Sequence, residues 1–100
     1  MMPTTKKLDK VWLGDVPVDK AFWCRDGKVV KNLAELADAF REMSDDTFEY
    51  HLNSEKNDFG TWVKDVIGDV TLAGQLARVA TRATATRRVD MRLESLRALT

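Results

Sequence analysis

Apolar residues follow a helical spacing from residue 33 onward, and polar interruptions divide the chain into successive short helices. The stretch NLAELADAFREM starts with Asn32, a preferred helix N-cap, and Glu35 completes a capping box three residues later. Its apolar positions recur every three or four residues, at Leu33, Leu36, Ala37, Phe40 and Met43. Asp46 then predicts the cap of a brief second helix that ends near Asn53.

The third predicted helix has the clearest amphipathic pattern. Its apolar residues take the steps i, i+3, i+4, i+7 and i+8, at Phe59, Trp62, Val63, Val66 and Ile67. Asp58 stands before them at a capping position, and Gly68 is a natural C-terminal stop. Asp69 or Thr71 then begins a fourth helix, whose apolar face comprises Leu72, Leu76, Val79 and Ala80.

The remaining stretch, ATRATATRRVDMRLESLRALT, either continues the fourth helix or starts a fifth. Threonine is an adequate N-cap and only a modest helix former. We therefore favour a break near Thr81 and a fifth helix from about Arg82. Its buried stripe would comprise Ala85, Val89, Leu93, Leu96 and Leu99.

The stretch AFWCRDGKVVKN predicts a short β-hairpin before the first helix. Asp26-Gly27 is favoured as a two-residue turn, in which both central residues have positive φ. The arms would be residues 21–24 and 28–30. Because neighbouring strand residues face opposite sides, either Phe22 or Trp23 faces the core, and an exposed Trp23 would be a contact residue for a partner.

These elements define a mostly α fold, with a short N-terminal β-hairpin followed by a compact bundle of four or five helices. Residues 1–20 are expected to form an irregular lead-in that is loose at its start, with Trp12 lying over the core. Residues 21–100 would form a single domain. The predicted core comprises Phe22, Leu33, Leu36, Phe40, Phe48, Phe59, Trp62, Val63, Val66, Leu72, Leu76, Val89 and Leu93.

Composition limits the number of domains, the redox compartment and the possibility of membrane insertion. A chain of 100 residues suffices for one domain with a real core. The single Cys24 excludes an intramolecular disulfide and favours a reducing compartment. No apolar run approaches the roughly 20 residues of a membrane span, and the polar start does not resemble a secretion signal. We expect a cytoplasmic protein that does not enter membranes.

Charge is balanced overall but unevenly distributed. From Arg78 onward the chain has six arginines and two acidic residues, a net charge of +4, which leaves −4 on residues 1–77. Such segregation indicates either an anionic partner or attraction between the two parts of the chain.

The stretch from Tyr50 to Asp69 holds the only histidine and a long polar pattern. Its signature residues are Tyr50, His51, Asn53, Lys56, Asn57, Asp58, Phe59, Trp62, Asp65, Val66, Gly68 and Asp69. With the preceding hairpin and first helix, they resemble a family of small archaeal and bacterial domains of unknown function. The resemblance covers about residues 22–76 and implies no activity. Gly60 is a departure from this pattern. It falls in the first turn of the third predicted helix, where glycine destabilises the helix by up to about 1 kcal/mol.

His51 is the first candidate for chemistry. As a general base it would need an orienting carboxylate, for which Asp58 and Asp65 are the candidates, or a pairing with Cys24. The structural alternative, which we favour, is that His51 packs beside Tyr50 and hydrogen-bonds a backbone carbonyl or Asn57 at a helix corner.

Metal or anion binding in the same stretch has less support. Asp58, Asp65 and Asp69 could form a carboxylate site, but no metal-ligand spacing or calcium-loop pattern is present. Helix capping and surface ion pairing explain these residues more simply. Asn57 and Asp58 would likewise cap the third helix and occupy the amides that a phosphate would need. No cofactor is expected.

The terminal arginines give the strongest functional hint. Arg78, Arg82, Arg88 and Arg92 could line one side of the last helices, clear of the apolar stripe, and bind an anionic partner. A solvated face, or pairing with the acidic part of the chain, is the favoured alternative, because no aromatic residues are interleaved and no nucleic-acid motif is present.

The function these patterns favour is a non-catalytic interaction or regulatory module that binds another protein, or itself as a homo-oligomer through the terminal helices. The first alternative is nucleic-acid or anionic-ligand binding through the arginine-rich terminal helix. The second alternative is an enzyme or metal site around His51.

Overall fold

The computed structural model describes residues 12–99, with the side chains of residues 12–98. Within this range a two-stranded hairpin leads into five helices, which confirms the predicted fold class. The strands are β1 (Phe22–Trp23) and β2 (Val29–Val30), and a 3-10 turn at Val18–Lys20 precedes them. The helices are α1 (Leu33–Glu42), α2 (Asp45–His51), α3 (Asp58–Trp62, extended by a π-helical segment at Val63–Ile67), α4 (Val70–Leu76) and α5 (Arg82–Leu99). The predicted loose first residues lie outside the described range.

The hairpin differs from its prediction in the turn. Phe22 pairs with Val30, and Trp23 with Val29. The Cys24 N–H donates to the Lys28 carbonyl at 2.9 Å, so the loop has three residues rather than two. Within the loop only Gly27 has positive φ, at 95°. A three-residue loop needs one left-handed residue at its end, which glycine supplies, and Asp26 keeps an ordinary conformation.

Side-chain caps set the helix boundaries. The Asn32 side chain accepts the Glu35 N–H at 2.7 Å, as predicted. The second helix is capped by Ser44, whose hydroxyl accepts the Thr47 N–H at 3.1 Å, so the prediction of Asp46 as cap was wrong. Serine two residues earlier offers an equally good acceptor, and the helix gains half a turn. Thr81 accepts the Thr84 N–H at 3.2 Å, and the predicted break before α5 is confirmed.

The π-helical segment is the main irregularity of the bundle. The N–H groups of Gly68 and Asp69 both reach the Val63 carbonyl, at 2.8 and 3.3 Å. Gly68 then ends the helix with φ of 92°, as its predicted role as a stop requires. The widened turn inserts an extra residue into the helical repeat. Val66 is consequently rotated off the buried face and is only half-buried, which corrects its assignment to the core.

The core lies between α1 and α5, which pack on each other most extensively, with α3 and α4 closing the side. Apart from Val66, every predicted core side chain is buried. Ala80 is exposed rather than part of the apolar face of α4, and the side chain of Leu99 lies outside the described set. Trp12 packs on the core as predicted. Among residues 12–99, no helix is both long and apolar enough to cross a membrane.

Candidate functional site

His51 is 4 % exposed, and both of its ring nitrogens have partners. The backbone N–H of Arg25 donates to Nε2 at 3.0 Å, so the neutral ring carries its proton on Nδ1 and donates it to Asp58 Oδ2 at 3.0 Å. The ring also packs against Phe22 and Phe59. The structural interpretation was therefore right about Tyr50, which lies edge-on to the ring, but wrong about the hydrogen-bond partners. The imidazole braces the hairpin turn against α3.

Asp58, at the start of α3, accepts the hydrogen bond from His51 and is itself held by a lysine. Lys56 Nζ lies 3.0 Å from the same carboxylate oxygen that accepts from His51. Partial burial opposes ionisation, but the hydrogen bonds from His51 and Lys56 outweigh it and lower the pKa of Asp58. An imidazole oriented by a carboxylate is the arrangement of a general base, but here the basic nitrogen already accepts a backbone N–H.

Cys24 does not complete a Cys–His pair. It stands directly before the hairpin loop, and Nε2 of His51 is already occupied because it accepts the backbone N–H of Arg25. Burial, followed by the charge of Asp26 and opposed by Lys28, raises the pKa of the Cys24 thiol to about 11. The thiol is consequently protonated at neutral pH and weakly nucleophilic.

Asn57 joins the start of α3 to the end of α4. Its side-chain oxygen accepts the Gly60 N–H at 2.9 Å, which confirms it as a cap, while its amide donates to the Leu76 carbonyl at 2.8 Å. A Cβ on Gly60 would lie 3.3 Å from that amide, tighter than most real contacts. This close approach explains why a residue without a side chain occupies position 60. Asp58 is the first helical residue and not the cap.

The three aspartates considered for a metal do not converge. Asp65 is exposed on the π-helical segment, whereas Asp69 is completely buried and bound by Arg92. Among the residues that the structure describes, no three His, Cys, Asp or Glu side chains are arranged to hold a metal ion.

Asp69 and Arg92 form a buried ion pair that sequence reasoning missed. Arg92 Nε lies 2.7 Å from one carboxylate oxygen and its terminal nitrogen 3.1 Å from the other. Asp69 also accepts the Leu72 N–H at 3.1 Å as the cap of α4. The ring of Trp12 lies 5.5 Å from the guanidinium carbon. Arg92 is therefore not available to an anionic partner.

The spacing of α5 contained the signal for this pair. Arg92 follows Val89 by three residues and precedes Leu96 by four, so it lies on the buried stripe itself. The prediction that it stands clear of that stripe was wrong.

Arg82 is also bound within the fold, by residues of α1 and α2. Its Nε lies 3.0 Å from Asp45, and a terminal nitrogen donates to the Phe40 carbonyl at 2.8 Å, near the end of α1. A further pair joins Arg41 to Asp90 at 2.8 Å. That further pair has the opposite polarity, so it is the pairing of Arg82 with Asp45 and of Arg92 with Asp69 that partly neutralises the positive charge of the C-terminal segment, in line with the favoured alternative.

Arg78 and Arg88 differ from the other candidates. Both are exposed, and within the described part of the chain neither side chain makes an ion pair or hydrogen bond. They line a groove of about 370 Å³ between α4 and α5, together with Thr71, Gly74 and Gln75. We call this the basic groove.

A second groove, of about 350 Å³, lies between α3 and α4. Small residues form much of its lining, and Val70 at its rim is 66 % exposed. We call it the apolar groove, lined by Gly60, Thr61, Lys64, Val70, Ala73, Gly74 and Ala77 with Asn57 at one end. Gly74 lines both grooves, so they adjoin across α4. Together they form the α4 surface.

No protein-family model, curated protein or solved structure matches this chain. The resemblance to small archaeal and bacterial domains therefore stays a prediction that depends on the signature residues. Within this structure those residues brace a corner: His51, Asn57 and Asp69 each connect two separate elements of the fold.

Proposed function

We propose that this chain is a non-catalytic protein-interaction module. The observation that carries the proposal is the α4 surface, where an apolar groove adjoins two arginines without partners among the described residues. The side chains suited to catalysis are not available for it. Both ring nitrogens of His51 are hydrogen-bonded within the fold, and the Cys24 thiol is protonated because its pKa is raised.

The composition of this surface supports the proposal. Protein interfaces combine an apolar centre with a polar rim, and arginine is enriched in them. Here Val70 and the small residues of the apolar groove supply the apolar area, and Arg78 and Arg88 supply the rim. We also propose a cytoplasmic location, because a buried free thiol suits a reducing compartment.

The test is the size of the complex that contains the chain in its source cell. The tagged full chain, expressed at native level, is crosslinked, fractionated by size and examined by mass spectrometry. We expect assemblies clearly larger than the 11.3 kDa monomer, with crosslinks from Lys64 beside the apolar groove. If ultracentrifugation and the crosslinked fractions both show an isolated monomer, the proposal fails.

A second candidate is binding of a nucleic acid or another anionic ligand in the basic groove. The specific observation in its favour is that Arg78 and Arg88 face one groove and lack internal partners. Binding of a fluorescent single-stranded oligonucleotide would weaken steeply with salt and be lost in Arg78→Ala/Arg88→Ala. Arg82 and Arg92 are unsuitable for this test, because their replacement would disturb the fold. Equal binding by the double variant and by Arg87→Ala would eliminate this candidate.

A further inference from the structure

We infer that the α4 surface binds an acidic, amphipathic segment of a partner protein. An aliphatic side chain of that segment enters the apolar groove over Gly74, and its carboxylates bind Arg78 and Arg88. This inference rests on the proposed function and specifies the chemistry of the partner.

The apolar groove is open directly above the helix backbone. A Cβ built on Gly74 meets no atom within 4 Å, and Ala73 and Ala77 project no further than a methyl group. Small residues let another chain approach a helix closely, and an aliphatic side chain there would be removed from water on several sides. Val70, large and exposed, adds apolar area at the rim.

The positive charge of the α4 surface favours an acidic segment. Lys64 lines the apolar groove, Arg78 and Arg88 line the basic groove, and no acidic residue lines either. Two other terminal arginines are already neutralised, Arg82 by Asp45 and Arg92 by Asp69. Arg78 and Arg88 have no such partners among the described residues and lie beside the apolar groove, where their planar guanidinium groups match carboxylates.

A protein segment fits this surface better than a nucleic acid. Phosphate binding would use the basic groove alone and leave the adjoining apolar groove uncovered. The chain has no net charge, and Arg78 and Arg88 are the arginines lining the basic groove, a small number for a phosphate backbone. An acidic segment with aliphatic residues uses both grooves together.

The experiment selects binders from a displayed library of random peptides on the immobilised full chain. We expect the enriched sequences to place Asp or Glu beside Leu, Ile or Met. Synthetic versions of those peptides are then titrated against four variants. Gly74→Leu fills the apolar groove, and Arg78→Glu/Arg88→Glu reverses the charge of the basic groove.

The two control variants make matched changes elsewhere on the surface. Ala83→Leu adds the same side chain on an exposed site of α5, and Arg87→Glu reverses an exposed arginine that lines neither groove. We expect each groove variant to weaken binding about tenfold or more, and each control to change it less than about twofold. Thermal unfolding should show that Gly74→Leu folds, since removal of a helical glycine favours the helix and the space is open.

Several outcomes would overturn the inference. These are enriched peptides without acidic residues, equal binding to the groove variants and the wild type, or an oligonucleotide that competes for the surface. A homodimer that Gly74→Leu dissociates would also overturn it, by assigning the surface to a second copy. If Gly74→Leu and the wild type recover the same crosslinked assemblies from cells, the inference fails and the proposed function stands. If neither recovers any, both fail.

Discussion

Replacing Asp69 by asparagine would separate the charge of the buried ion pair from its role as a helix cap. Asparagine is close in size and caps helices well, so it can still accept the Leu72 N–H. Arg92 would then have no carboxylate partner, while its charged side chain would remain largely buried, at 18 % exposure. Removal of one partner from a buried pair costs about 3–5 kcal/mol, and this partial exposure places the expected loss near 3 kcal/mol.

A loss of that size is measurable in a domain of this length. Total stability is typically about 5–15 kcal/mol, and each kcal/mol shifts the melting temperature by about 4–8 °C in domains of this size. We therefore expect Asp69→Asn to melt more than about 12 °C below the wild type. Urea unfolding followed by circular dichroism should show a lower midpoint with an unchanged slope.

A double-mutant cycle tests whether the pair itself is responsible. Arg92→Met should also destabilise, because it leaves the Asp69 carboxylate buried without its cation. The double variant leaves no buried charge and should be more stable than the sum of the single changes predicts, by about 2 kcal/mol or more. The exposed pair of Lys28 and Glu42 provides the control cycle, for which we expect a coupling below about 1 kcal/mol. Equal couplings in the two cycles would show that burial does not strengthen the Asp69–Arg92 pair.

Three further predictions concern the signature corner and the hairpin. Asn57→Ala removes a cap and leaves the Leu76 carbonyl without its donor, so urea unfolding should show a loss of about 2 kcal/mol, and an unchanged midpoint would contradict this. The pKa of Asp58 is lowered in the folded state, so its contribution is complete above the unfolded value of about 3.9 and disappears as pH falls through the folded pKa. Acid titration of Asp58→Asn should therefore show a smaller loss of stability below about pH 4 than the wild type. With its raised pKa, Cys24 should react with iodoacetamide at pH 8 on the order of a hundredfold more slowly in the folded than in the urea-unfolded protein, and equal rates would contradict its protonated state.

The features that sequence predicted well are local ones. Asn32 and Thr81 cap helices because their side chains reach amides two or three residues away, and that geometry depends on nothing distant. The buried stripe of α5 likewise follows from the helical repeat, with Ala85 and Val89 buried as expected. Such features follow from spacing and residue type.

The features that sequence missed depend on distant contacts or on an irregular backbone. Arg82 reaches Asp45 across 37 positions of the chain, and nothing near either residue indicates the pairing. The π-helical segment changes the periodicity after Val63, so a regular repeat placed Val66 in the core incorrectly. The α4 surface was missed because it is created where three helices meet, and the residues at its centre, such as Gly74, have no polar or aromatic side chain to suggest binding.

The packing of α1 against α5 has a consequence for synthesis on the ribosome. These helices share the largest contact in the described structure, yet Arg41 and Asp90, which join them, lie 49 positions apart. While the chain emerges, the face of α1 that packs on α5 must stay exposed to water or to a chaperone until α5 has been made. Stalling translation before α5 should thus yield a nascent chain that proteases digest readily.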